Sequence, residues 1–224
     1  FTGEGDRALR VLAPSIATVS YDIPYRLDGV HGENFQGAGL VVDAERGLVV
    51  VDRETVPIAM GDVTVTFGGS VQVPGEVVYL HPEHNLAVIR YDPRLVGSTP
   101  IRAAQLRPRS LRAGDDVWLV GLNMRQRLIS RKTEISGLEP IGLSLTYPPR
   151  FRDRNLAGYA ITDPAATIGC VLSDAKGRVH ALWASYSRGH GKNMHSFFIG
   201  IPIDRVIEII EPLQRSEEHP SELQ

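Results

Sequence analysis

Apolar and polar positions alternate with a period of two along most of the chain, and β-branched residues fill many of the apolar places. That is the pattern of strands with at least one buried face. Thirteen segments carry it. A first set comprises Ser15–Tyr21, Gly37–Val42, Leu48–Asp52, Val63–Phe67, Glu76–Leu80 and Leu86–Tyr91. After a proline-containing stretch from Asp92 to Pro108, a second set follows: Asp116–Leu122, Arg127–Ser136, Gly142–Tyr147, Gly158–Thr162, Cys170–Ser173, Val179–Tyr186 and His195–Gly200. Two turns nearly repeat each other, Asp43-Ala44-Glu45-Arg46-Gly47 and Asp174-Ala175-Lys176-Gly177. In each, the closing glycine supplies the left-handed residue that a bulged hairpin requires.

The period changes to a helical one only near the end. Ile203, Val206, Ile207 and Ile210 recur at three- and four-residue steps, Pro202 suits the first turn, and Pro212 limits how far the helix runs. Short strands in two sets, punctuated by turns and closed by one helix, predict an all-β protein of two small barrels packed together.

Composition narrows the function classes. The chain has 224 residues, 24 Lys+Arg against 26 Asp+Glu, and no apolar run long enough to span a membrane. The interspersed charge argues against disorder and against a nucleic-acid face. One cysteine, Cys170, excludes an internal disulfide and a cysteine-based zinc cluster, and leaves the compartment open. The chain starts at Phe1 without Met or a signal pattern, which reads as a segment of a longer protein. Its last ten residues, RSEEHPSELQ, resemble a translated sequencing-library adapter and are set aside from the fold. Without their one Arg and three Glu, the charge is 23 positive against 23 negative. The expected organisation is a lead-in over 1–14, a first barrel over 15–100, a second barrel with the helix over 101–213, and an artefactual tail over 214–224.

Particular residues carry a family resemblance. GAGLVVDAERGLVVVDRETVP from Gly37, HPEHNLAVIRYDP from His81, GRVHALWASY from Gly177, and Ile199-Gly200-Ile201-Pro202-Ile203-Asp204 resemble the trypsin-like serine proteases of the HtrA (Deg) type. The resemblance spans nearly all of Ser15 to Leu213. It is nearest to the degenerate second half of the large fungal-type HtrA proteins, which carry two tandem protease-like halves with PDZ domains. It implies the trypsin-like double barrel of two six-stranded barrels, and for an active member a Ser nucleophile, a His that takes its proton and an Asp that orients the His.

The same resemblance assigns those roles to positions that no longer hold them. Val51-Asp52-Arg53-Glu54-Thr55 aligns with the family's T-N-x-H-V pattern, which puts Glu54 at the base. Asn85-Leu86-Ala87-Val88 aligns with D-[IL]-A-[LV], which puts Asn85 at the orienting acid. Counting back from Gly177 puts Ile168 at the nucleophile, with Thr167 before it and Gly169 after it. The loop from Asp163 through Pro164-Ala165-Ala166-Thr167 is also shorter than the family's, which alters the stretch that aims N–H groups at an oxyanion. Losing Ser or His alone from such a triad costs on the order of a millionfold in turnover, about 8 kcal/mol of barrier. The sequence therefore predicts no peptidase activity from this segment. A structural, regulatory or peptide-binding role is expected instead. The alternative is a fragment of an active parent whose Ser-His-Asp half lies upstream.

No other constellation restores chemistry. Thr167 has no histidine predicted within reach to activate it. Glu54 reads as a hydrogen-bonded rim residue, and Cys170 as a small buried hydrophobe. His81/His84 and His190/His195 lack the carboxylates of a zinc-protease motif, so neither metal nor cofactor is expected. Arg102, Arg107, Arg109 and Arg112, with Arg150, Arg152 and Arg154 near Tyr147 and Phe151, read as solvated loops or a protein-docking face. The expected partners are proteins or peptides, foremost other domains of the parent chain, with an oligomer left open. Bacterial HtrA-type proteins are often periplasmic and the resembled fungal-type protein is nuclear; the adapter-like tail leans the expectation toward a bacterial periplasm or envelope.

Overall fold

The computed structural model describes residues 4–25, 32–142, 156–188 and 195–218. Among the described residues, twelve strands form two closed antiparallel barrels. The first contains β1 (Ile16–Asp22), β2 (Asn34–Asp43), β3 (Leu48–Val51), β4 (Asp62–Phe67), β5 (Val71–Leu80) and β6 (Ala87–Tyr91), in the order β1-β2-β3-β6-β5-β4. The second contains β7 (Asp116–Leu122), β8 (Leu128–Pro140), β9 (Ala157–Ile161), β10 (Cys170–Ser173), β11 (Val179–Arg188) and β12 (His195–Pro202), in the order β10-β11-β12-β9-β8-β7. Among the described residues, closure leaves strand ends unpaired, such as β11 beyond Trp183 on its β10 side, but no long edge of the kind that invites aggregation. The expected architecture of two six-stranded barrels with a terminal helix is the one observed.

Alternate residues of single strands separate into different cores. Val49 and Val51 point into the first barrel with Val19, Val41 and Ile89, whereas Leu48 and Val50 join Leu40, Leu86 and Val88 on its outer face. That outer face packs against Val120, Val171, Leu182 and Ile199 of the second barrel. This is why Leu48–Val51 is apolar at every position: both of its faces are buried. The interior of the second barrel is filled by Leu119, Ile135, Tyr159, Leu172 and Trp183.

The twin turns are built alike. Asp43 Oδ1 accepts the N–H of Glu45 and of Arg46, and Asp174 Oδ1 accepts those of Lys176 and Arg178. A strand bulge adjoins each aspartate, and Gly47 and Gly177 have φ of +68° and +78°.

Three features depart from the expectations. The lead-in contains a helix, α1 (Glu4–Leu12), whose Ala8 and Leu12 are buried in the inter-barrel core. Second, the C-terminal helix, α2 (Ile203–Glu218), continues through Pro212. Pro212 and Glu208, four residues before it, are both exposed, so water can reach the carbonyl that lost its partner. Third, β5 begins at Val71, because Thr64 and Val63 pair across Pro74 and Gly75 where strand breakers alone suggest an end. Of the expected strand Gly142–Tyr147, Gly142 lies outside any strand and the remainder lies outside the described residues.

Candidate functional site

The site lies where β3, the chain before β6, and β11 meet. After four consecutive apolar residues of β3, the chain turns at Asp52, which is buried at 5% exposure. Its Oδ1 accepts the N–H of Thr55 at 2.9 Å and the Thr55 hydroxyl at 2.7 Å, and its carbonyl accepts the N–H of Val56 at 3.2 Å. An aspartate that caps its own turn in this way fixes the path of the two residues between. Those residues are Arg53 and the half-buried Glu54.

Asp52 also reaches the other barrel. Its Oδ2 accepts both the N–H and the hydroxyl of Ser185 in β11, each at 2.8 Å. Asn85, fully buried, completes the arrangement: its Oδ1 accepts the Arg53 N–H at 2.8 Å, and its Nδ2 donates to the Ser185 carbonyl. The Arg53 guanidinium donates to the carbonyls of His81 and Pro57. Asn85 is therefore held beside the Glu54 turn. Asp52, Arg53 and Ser185 escaped the sequence reading. The available signal was a charge directly after an apolar run, and a serine directly after the apolar run Ala181–Ala184.

At the third position, Ile168 is half-buried against the inter-barrel core. Its N–H donates to the Leu122 carbonyl at 2.8 Å and its carbonyl accepts from Ala38 N–H at 3.1 Å. The resemblance aligns Ile168 with the nucleophile, whose N–H helps bind the oxyanion in a trypsin-like site; the Ile168 N–H has an internal acceptor. Thr167 is buried at 4% exposure and its Oγ1 accepts the Gly169 N–H at 3.3 Å. Gly169 and Cys170 follow with φ of +110° and +147°, and burial pushes the fully enclosed Cys170 thiol up. The three positions thus hold a carboxylate, an amide and an aliphatic side chain. An amide does not take up a proton at neutral pH, and an isoleucine offers no nucleophile.

His81 and Arg109 make local contacts. His81 Nδ1 accepts the N–H groups of Glu83 and His84, and burial is the main cause holding its pKa below the usual histidine value. His195 is exposed at the start of β12, and His190 lies outside the described residues. Among the described residues, no three His, Cys, Asp or Glu side chains converge to hold a metal. Arg109 pairs with Asp115 at 3.3 Å, while Arg102, Arg107 and Arg112 are exposed. Arg150, Arg152 and Arg154, with Tyr147 and Phe151, lie outside the described residues. A cavity of about 550 Å³ opens between β9, β12 and the start of α2, lined among others by His84, Arg109, Tyr159, Tyr186, Ile201 and Arg205. None of Glu54, Asn85 and Ile168 lines it.

No protein-family model matches the chain. It is 37% identical over 204 residues to a PDZ domain-containing protein of Schizosaccharomyces pombe, covering 88% of this chain and 20% of that protein. It is 38% identical over 222 residues to the pro-apoptotic serine protease NMA111 of Yarrowia lipolytica, covering 94% and 22%. With Protease Do-like 7 of Arabidopsis thaliana the identity is 34% over 222 residues, covering 92% and 20%. The chain spans about a fifth of the length of these curated relatives. Among solved structures, Deg5 superposes with a TM-score of 0.62 at 16% identity, covering 93% of this chain and 94% of that one. The active form of the Rv3671c protease from M. tuberculosis gives 0.64 at 16% identity, covering 90% and 81%, so both share the fold. With the double barrel in place and these relatives matched along most of its length, the chain belongs to the HtrA/Deg family of trypsin-like serine proteases.

Proposed function

We propose that this chain is a pseudoprotease barrel pair: a trypsin-like segment of a larger HtrA-type protein that has no peptidase activity of its own. Its role in this reading is structural or regulatory, through packing against other domains of its parent or holding a protein segment. The observation that carries the reading is at Ile168. The position offers no nucleophile, and its N–H already donates to Leu122. Glu54 and Asn85 support it, because no group at the base and acid positions forms a His–Asp pair that could take a proton from a hydroxyl. Both losses act on the same step, so neither compensates for the other.

The test is fluorophosphonate labelling beside casein degradation on the purified chain, with Thr167→Ala in parallel. The expected result is neither labelling nor cleavage above a heat-inactivated control. Labelling that disappears in Thr167→Ala would overturn the reading and make Thr167 the nucleophile.

A second reading concerns the parent. The relatives matched along this chain include proteins named serine proteases, and each is about five times longer than the matched segment. An active Ser-His-Asp half elsewhere in the parent accounts for such names while leaving this segment inert. Assaying the complete parent beside the isolated chain separates the two: activity confined to the parent supports both readings together.

A further inference from the structure

Asp52 and Asn85 belong to the first barrel and are buried, and Ser185 belongs to the second and is half-buried. Between them, both backbone polar groups of Ser185 and its hydroxyl are satisfied by side chains from across the barrel interface. In an antiparallel ladder a strand neighbour would meet the Ser185 N–H and carbonyl. Here a carboxylate and an amide substitute for that neighbour. We propose that Asp52, Asn85 and Ser185 form an inter-barrel latch that caps the open edge of β11, and that the latch requires an amide and excludes a carboxylate at position 85.

The requirement follows from donor and acceptor roles. Ser185 N–H and O–H both donate, so their partner must accept, which Asp52 does with a full charge. The Ser185 carbonyl accepts, so its partner must donate. Asn85 has both capacities: its oxygen takes the Arg53 N–H while its NH₂ serves Ser185. An ionised aspartate at 85 would keep the first bond and lose the second. It would also place a second carboxylate against the serine that already holds Asp52, a repulsion that grows in a buried site. The latch and an acid at the triad's orienting position are therefore mutually exclusive while Asp52 is present. One consequence bears on binding: an extended segment cannot add to β11 at Ser185, because the edge groups it would pair with are taken.

The latch does not rest on the absence of peptidase activity, and its test reads a different property. Amide exchange of Ser185 and thermal unfolding are measured in the chain and in Asp52→Asn, Asn85→Asp and the double variant. In the unaltered chain the Ser185 N–H is protected although no strand pairs with it on that side. Asp52→Asn raises its exchange about tenfold or more, while amides inside the barrels, such as those of Val65 and Leu119, stay protected. Asn85→Asp lowers the melting temperature by about 5 °C or more, and the loss is smaller in the Asp52→Asn background, because the repulsion is gone. Equal losses in both backgrounds would overturn the exclusion of a carboxylate. If Asn85→Asp does not fold, Asp52→Asn alone still decides the cap: unchanged Ser185 exchange, or faster exchange throughout the barrels, would overturn it.

Discussion

Asp52 and Ser185 stand 133 residues apart, and one carboxylate oxygen of the first accepts both the N–H and the hydroxyl of the second at 2.8 Å. Hydrogen bonds to an ionised acceptor in a buried place contribute about 1.5–3 kcal/mol each, more than neutral ones. Two of them meeting on one residue join a loop of the first barrel to a strand of the second. Ser185→Ala removes the hydroxyl donor and keeps the N–H. It is expected to lower the melting temperature by about 3–8 °C, read by calorimetry. A change within 1 °C or so would mean that the hydroxyl contributes little there.

The twin turns provide a differential test. Both glycines have positive φ, so alanine at either carries backbone strain of about 1–2 kcal/mol. The neighbours differ. A Cβ on Gly47 would lie 2.0 Å from the Tyr91 carbonyl oxygen, part of the ladder's backbone, whereas one on Gly177 would lie 2.7 Å from a methyl of Val11 in α1. Val11 Cβ, 2.9 Å from the same point, must give as well, and a terminal helix shifts by a few tenths of an ångström more readily than a strand carbonyl held in a ladder. Gly47→Ala should therefore destabilise more than Gly177→Ala in urea titrations, and the reverse order would contradict this account of the turns.

Acid should weaken the same turns. Burial on its own raises both carboxyls. In Asp43 it is outweighed by the Arg46 N–H, the Gln214 amide and the Arg46 guanidinium; in Asp174, by the N–H and guanidinium of Arg178 with the Lys176 N–H. Both pKa values consequently fall below the ordinary carboxylate value. A lowered folded pKa gives stability that is fully present above the unfolded value, near 4, and is lost as pH falls through the folded one. Asp43→Asn keeps an acceptor oxygen and cannot titrate, so its urea midpoint should drop less than that of the unaltered chain between neutral pH and about pH 3. Parallel acid profiles would remove Asp43 from the explanation.

Cys170 reports on the core. Its side chain is fully buried and burial pushes the thiol up, which removes the reactive thiolate at neutral pH. A thiol reagent should react only as the chain unfolds, with a denaturant midpoint matching that from circular dichroism. Prompt stoichiometric reaction of the folded chain would show that the region around Gly169 opens locally.

Strand positions were legible because period-two alternation is a local property that each segment displays by itself. Asp116–Leu122 and Cys170–Ser173 match the observed strands at both ends. The turns were legible for a similar reason, since Asp and Gly act on backbone within five residues of themselves. Boundaries were least legible where breakers sit inside a continuous element. Pro74 and Gly75 are held in β5 by pairing with β4, and Pro212 is tolerated in α2 where its carbonyl partner is open to water. The helix α1 was missed because its pattern is short and its burial depends on the inter-barrel core that Ala8 and Leu12 help to fill.

By itself, the sequence determined the residue types at Glu54, Asn85 and Ile168, the positions that its resemblance to the family assigns to the triad. It also determined the two barrels, because alternating faces must be buried somewhere and two sets of short strands bury them by closing. Only the tertiary structure decided what those positions do. Closing the barrels brings residue 52 to residue 185, sets Asn85 between them, and gives the Ile168 N–H to Leu122. Hydrogen-bond partners over such separations are chosen by the packing of whole strands, and no local pattern encodes them.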